Sequence, residues 1–203
     1  MKKAGTSYLD YSGDEAMPPV VQDMLKAWKS AHFLFYDHGS ETGLVAQGGV
    51  GYIIDKSNDE LLIGRIVYTL ACSWGLDGGW EAKRKGARAV HCYAAVVGFM
   101  TSALPEFQES FNHGFKLLHE RMSEGLEPNF KGILALEKEK MTELSDKLMK
   151  QGNFMAAAWM NTNRDSLKWY DGNDEPPESK CFWRRLAVRL FGPKLGWSLL
   201  KRK

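Results

Sequence analysis

Short, unbroken apolar runs separated by stretches of helical spacing organise this chain. RAVHCYAAV (88–96) reads as a strand, and HFLFY (32–36) and RIVYTLA (65–71) are short apolar runs. That pattern predicts central parallel strands buried on both faces. GYIID (51–55) and SLKWY (166–170) read as shorter strands, and a further short strand is expected at Ser7–Tyr11. Between them the period changes. PPVVQDMLKAWK opens on a proline pair and repeats Val20, Val21, Met24, Leu25 and Trp28 near helical spacing. WEAKRKGA predicts a helix closed by Gly86, and PEFQESFNHGFKLLHERM sets Phe107, Phe111, Phe115 and Leu118 on one stripe. Residues 129–160 continue helical, with a break near Gly152. Strands alternating with helices define an α/β fold with a mostly parallel central sheet flanked by helices.

At 203 residues, 44% hydrophobic and 26% charged, the chain suits one globular domain with a sizeable core. The loop-like DGNDEPPES divides it into an α/β domain over residues 1–179 and a C-terminal tail over 180–203. The net charge of +2 conceals a split: the tail holds eight basic residues and no acid, against 19 basic and 25 acidic residues in the rest. The body therefore gives no footprint for nucleic acid, and any pull on anions belongs to the tail. Phe182, Trp183, Leu186, Leu190, Phe191, Trp197 and Leu199 interleave with those cations, a composition that suits docking on an anionic membrane surface or a partner protein. Packing on the acidic body of this chain or of another copy is the plainer alternative. Cys72, Cys92 and Cys181 cannot all pair, and their spacing matches no zinc pattern. MKKAGTSYLDYSGDE lacks the apolar stretch of a secretory leader, and no apolar run reaches membrane-spanning length. A cytoplasmic location, peripheral to a membrane if the tail docks there, is the expectation.

Two strand candidates end on reactive residues: HFLFY runs into Asp37-His38-Gly39, and RIVYTLA into Cys72-Ser73-Trp74-Gly75. In an open parallel sheet, ligands bind beyond the carboxyl ends of the strands. If these two strands are neighbours, imidazole and thiol share one edge. A thiolate is the nucleophile, and a nearby histidine can take its proton and later protonate a leaving amine. The backbone N–H groups of Gly39 and Cys72 would face the same space as oxyanion donors. Taken alone, each residue reads more simply as a hydrogen-bonded histidine or a small buried thiol.

Together these segments resemble the caspase-like cysteine peptidases, which include legumains, clostripain, gingipains, separases and CHAT domains. YDHGSETG is similar to the gingipain histidine segment, LACSWG to the family's Ala-Cys motif, and GWEAKRKGARAVHCYAAVVG to the helix and strand that follow in CHAT and gingipain domains. NRDSLKWYDGNDE is similar to the strand that ends the core, so the resemblance covers most of residues 10–175. It implies a caspase-like three-layer sandwich and a cysteine endopeptidase acting on protein or peptide substrates without metal or organic cofactor. His38 would be the catalytic histidine, Cys72 the nucleophile, and the Gly39 and Cys72 amides the oxyanion hole. One of Asp37, Glu41, Asp77 and Glu81, which flank the two motifs, would line a pocket for a basic substrate residue, as in gingipains; solvated loop acids are the simpler interpretation. His38 and Cys72 stand 34 residues apart, against about 50 in caspases, and Leu70 occupies the place of the caspase glutamine. A catalytically inactive binding or signalling module within a homo-oligomer or larger assembly is the alternative from a different class.

Overall fold

The computed structural model describes residues 10, 12, 15–172 and 174. The expected strand at Ser7–Tyr11 and the tail at 180–203, with Cys181, lie outside the described residues. Among the described residues five α-helices and six strands follow in the order α1 (Pro18–Ala27), β1 (Phe33–Tyr36), β2 (Leu44–Val45), β3 (Tyr52–Ile54), β4 (Ile66–Leu70), α2 (Gly78–Lys85), β5 (Ala89–Tyr93), α3 (Leu104–Ser123), α4 (Phe130–Lys150), α5 (Phe154–Ser166) and β6 (Leu167–Tyr170). The main sheet has the order β1-β4-β5-β6, with β1, β4 and β5 parallel and β6 antiparallel. The fold is thus α/β, with a mixed, mostly parallel sheet flanked by helices.

Parity along the strands assigns the two faces. Phe33, Phe35, Val67, Val90 and Cys92 pack with Val21 and Leu25 of α1 and Ala82 of α2. The alternate residues Ile66, Tyr68, Ala89, Tyr93 and Leu167 face α3, α4 and α5. The helices form as the spacing predicts. Pro18 sits in the first turn of α1, Gly86 closes α2 at φ +121°, and Gly152 at φ +77° separates α4 from α5. Both glycine angles lie in the half of backbone space that side chains avoid. Among the described residues no helix is long and apolar enough to cross a membrane.

Two expectations need correction. HFLFY is not a central strand buried on both faces. In the sheet formed by the described residues β1 is an outer strand, and Leu34 and Tyr36 remain 40% and 43% exposed. An unbroken apolar run looks the same whether one or both faces are covered, so periodicity alone could not separate the cases. GYIID, likewise, does not join the main sheet; Tyr52–Ile54 pairs antiparallel with Leu44–Val45 as a separate hairpin. His91 and Cys92 do face opposite sides, as adjacent strand residues must.

Arg65 ties the start of β4 to the end of α1. Its guanidinium is buried and donates to four backbone carbonyls: Leu61 at 2.6 Å, Trp28 at 2.8 Å, and Ala31 and Leu25 at 2.5 Å each. A cation at the carbonyl end of a helix satisfies orphan acceptors and complements the helix dipole. Arg65→Met, which keeps the aliphatic volume, is expected to cost about 2–3 kcal/mol by stranding these acceptors. Urea denaturation checks this; a loss under about 0.5 kcal/mol would mean that water replaces the guanidinium without penalty.

A second buried polar cluster lies on the α3–α4 face. His91 is fully buried, with Nδ1 3.1 Å from the Thr69 carbonyl and Nε2 2.9 Å from Glu137 Oε1. Because a carbonyl only accepts, Nδ1 carries a proton, and a second proton lies between Nε2 and Oε1. The Tyr68 hydroxyl is 2.9 Å from the Phe111 carbonyl and 3.0 Å from Glu137 Oε1, and Trp169 Nε1 donates to Oε2 at 3.4 Å. The Tyr68 ring stacks on the imidazole with centroids 3.7 Å apart. Burial first, and the Glu137 charge second, hold the Tyr68 hydroxyl well above its ordinary pKa, so it stays a donor.

Candidate active site

The candidate histidine and cysteine are placed by one strand pair. β1 and β4 lie side by side and parallel, with Tyr36 opposite Leu70. His38 and Cys72 each stand two residues past these paired strand ends, in the turns at the carboxyl edge.

The two turns touch through their backbones. A β-carbon on Gly39 would lie 2.8 Å from Ala71 Cβ, 2.8 Å from the Cys72 carbonyl oxygen and 3.2 Å from the Cys72 nitrogen. Only glycine permits that approach. Beyond Gly39 the chain folds back as a hairpin: Ser40 donates to the Gly43 carbonyl, and Val45 donates to the His38 carbonyl, both at 2.9 Å. Asp37 Oδ1 accepts from the His38 amide at 2.7 Å and stands 3.9 Å from His38 Nε2. Asp37 therefore turns toward its own neighbour. The His38 side chain is 86% exposed.

On the other strand, Cys72 is partly buried and Ser73 takes φ +58°. Ser73 is the one non-glycine residue in the left-handed region among the described residues, and its amide donates to the Ala95 carbonyl at 2.8 Å. Backbone strain of this kind collects at functional turns. Gly75 lies against the Tyr93 carbonyl, where a β-carbon would come within 2.9 Å, and its own carbonyl accepts from the Tyr170 hydroxyl at 2.7 Å. The glycines of both motifs thus mark close backbone approaches.

The thiol has a partner that sequence reasoning missed. The Val97 amide donates to Cys72 Sγ at 3.3 Å, and Sγ stands 3.8 Å from the Val97 carbonyl. In this conformation sulfur is engaged by the segment that follows β5, and it makes no hydrogen bond to His38. The Gly39 and Cys72 amides donate to no acceptor among the described residues.

The acids proposed for a pocket separate in their surroundings. Asp77 pairs with Lys56 at 2.9 Å, with its side chain 19% exposed. Glu41 is exposed, and its carbonyl accepts from the Gly78 amide at 2.7 Å. Among the described residues no group of three or more His, Cys, Asp or Glu could hold a metal ion. Nothing in the sequence pointed to Val97, since a backbone donor has no residue signature. Glu137 had one. It stands on the apolar stripe of α4 between Ile133 and Met141, and a charge at a core position of a helix implies a buried partner.

Comparison with protein-family models, with curated proteins and with solved structures finds no match to this chain.

Proposed function

We propose that this domain is a caspase-like cysteine endopeptidase, with Cys72 as nucleophile and His38 as proton carrier. The observation that supports it best is that the turns following two adjacent parallel strands touch, with Gly39 pressed on the Cys72 backbone. His38 would accept the thiol proton; the thiolate would attack the peptide carbonyl carbon, and the oxyanion would take the Gly39 and Cys72 N–H groups. The imidazolium then returns its proton to the leaving amine as the C–N bond breaks, leaving a thioester that water hydrolyses with the imidazole as base. Substrate entry would turn Sγ from Val97 toward the imidazole, in keeping with catalytic hydrogen bonds that tighten only in the complex.

The separation of thiol and imidazole favours a second reading, in which a caspase-like module binds partners without catalysis. Peptidyl acyloxymethyl ketones varied at P1 separate the two. The peptidase reading expects covalent labelling by at least one P1 type that is lost in Cys72→Ala. No labelling dependent on Cys72 for any P1 type would overturn it and leave the binding module.

A further inference from the structure

The segment 94–100 runs from the end of β5 past Cys72, and it is held by α5. Asn163 of α5 is fully buried. Its Nδ2 donates to the Gly98 carbonyl at 2.7 Å, and its Oδ1 accepts from the Gly98 amide at 3.1 Å. One amide side chain therefore grips both backbone groups of a single residue. Trp159, one turn earlier on α5, fills the space beside Gly98, where a β-carbon would come within 2.2 Å of its ring. The Ala95 carbonyl takes the Ser73 amide, so the segment is also tied to the turn after the thiol. Between these anchors lies Val97, whose N–H addresses Sγ. The flanking Val96 and Phe99 are each 57% exposed, which is unusual for apolar residues on so firmly held a segment.

We infer that Asn163 is a positioning residue for the Cys72 site: by clamping Gly98 it aims the Val97 N–H at sulfur and fixes the 94–100 segment as a wall of that site. The inference rests on Cys72 being the reacting group proposed above. An N–H donor favours thiolate over thiol, because the charged acceptor forms the stronger bond. A clamp that sets the position of this donor therefore acts on the thiol through Val97, without touching it. The ionisable groups on the neighbouring turns are Asp37, His38, Glu41 and Asp77, and a change at residue 163 leaves them in place.

The test is the pH profile of Cys72 alkylation by iodoacetamide, followed by intact mass on the full chain. Asn163→Ala removes both bonds, Asn163→Asp keeps the Oδ1 acceptor, and Leu148→Ala loosens the same helical layer from α4. Asn163→Ala is expected to move the alkylation midpoint upward and to cut the reactive fraction at neutral pH about tenfold, the scale of one hydrogen bond to a charged group. Asn163→Asp should fall between it and the native chain, and Leu148→Ala should leave the midpoint unchanged despite a lower Tm. A native midpoint in both Asn163 variants, or an equal shift in Leu148→Ala, would overturn the inference. Alkylation needs no peptide hydrolysis. A chain that shows the Asn163 dependence yet no labelling by peptidyl ketones would sink the peptidase reading and leave this one standing.

Discussion

Glu137→Leu is expected to lower stability by about 3–5 kcal/mol, the usual effect of removing one partner from a buried pair. The substitution leaves Trp169 Nε1 inside the core without an acceptor, His91 Nε2 without a partner, and Tyr68 with only the Phe111 carbonyl. For a domain of this size that loss corresponds to a Tm lower by roughly 6–20 °C. The double variant Glu137→Leu with His91→Leu should lose less than the sum of the single variants, because the His91–Glu137 bond can be lost only once and neither partner is then left facing the other's empty place. Thermal and urea denaturation of all four chains give the coupling directly. A single-variant loss under about 1 kcal/mol, or strict additivity, would show that the cluster is not a coupled unit. Gly114 shows how tightly the carboxylate is enclosed: a β-carbon there would come within 2.3 Å of Glu137 Oε2.

Gly39→Ala should affect the site far more than the fold. The added methyl meets the Cys72 carbonyl and Ala71 Cβ at 2.8 Å, and neither can swing aside as a flexible side chain would. The β1 and β4 ends must separate by several tenths of an ångström or more. Displacement on the ångström scale at a reacting centre costs about a hundredfold in rate. The expected result is a fall of about that size in the second-order rate of Cys72 labelling by whichever peptidyl ketone the native chain accepts. The accompanying stability loss should stay near 1–3 kcal/mol, as for other overpacked positions. Native labelling rates in Gly39→Ala would show that the His38–Gly39 turn does not position the chemistry.

The contrast between what could be read in the residues and what could not has a physical basis. Helical periodicity located all five helices, and glycines at 86 and 152 marked ends that the backbone angles explain. The His38 and Cys72 motifs could be recognised because each interrupts an apolar run at a strand end. The edge position of β1 was hidden: burial on one face or two depends on which strands are neighbours, and FLFY fits either case. The hairpin of Tyr52–Ile54 with Leu44–Val45 was hidden for the same reason, since pairing is non-local. Val97 and Asn163 lay out of reach because their contribution runs through backbone groups of Gly98 and sulfur, which leave no trace in hydropathy. Arg65 was equally silent, because a buried cation served by carbonyls needs no acidic partner in the sequence.

The Cys72 environment draws on widely separated parts of the chain: the turn after β1, the turn after β4, the segment after β5, and a helix laid down near the end of the described residues. No fragment that stops short of α5 contains all four. On the inference drawn above, the reactivity of this one thiol reports whether α5 has docked. A chain released from synthesis before α5 has docked would carry the same cysteine, yet without the clamped donor beside it. The rate of alkylation at Cys72 would then serve as an internal gauge of assembly through α5 during refolding, independent of any substrate.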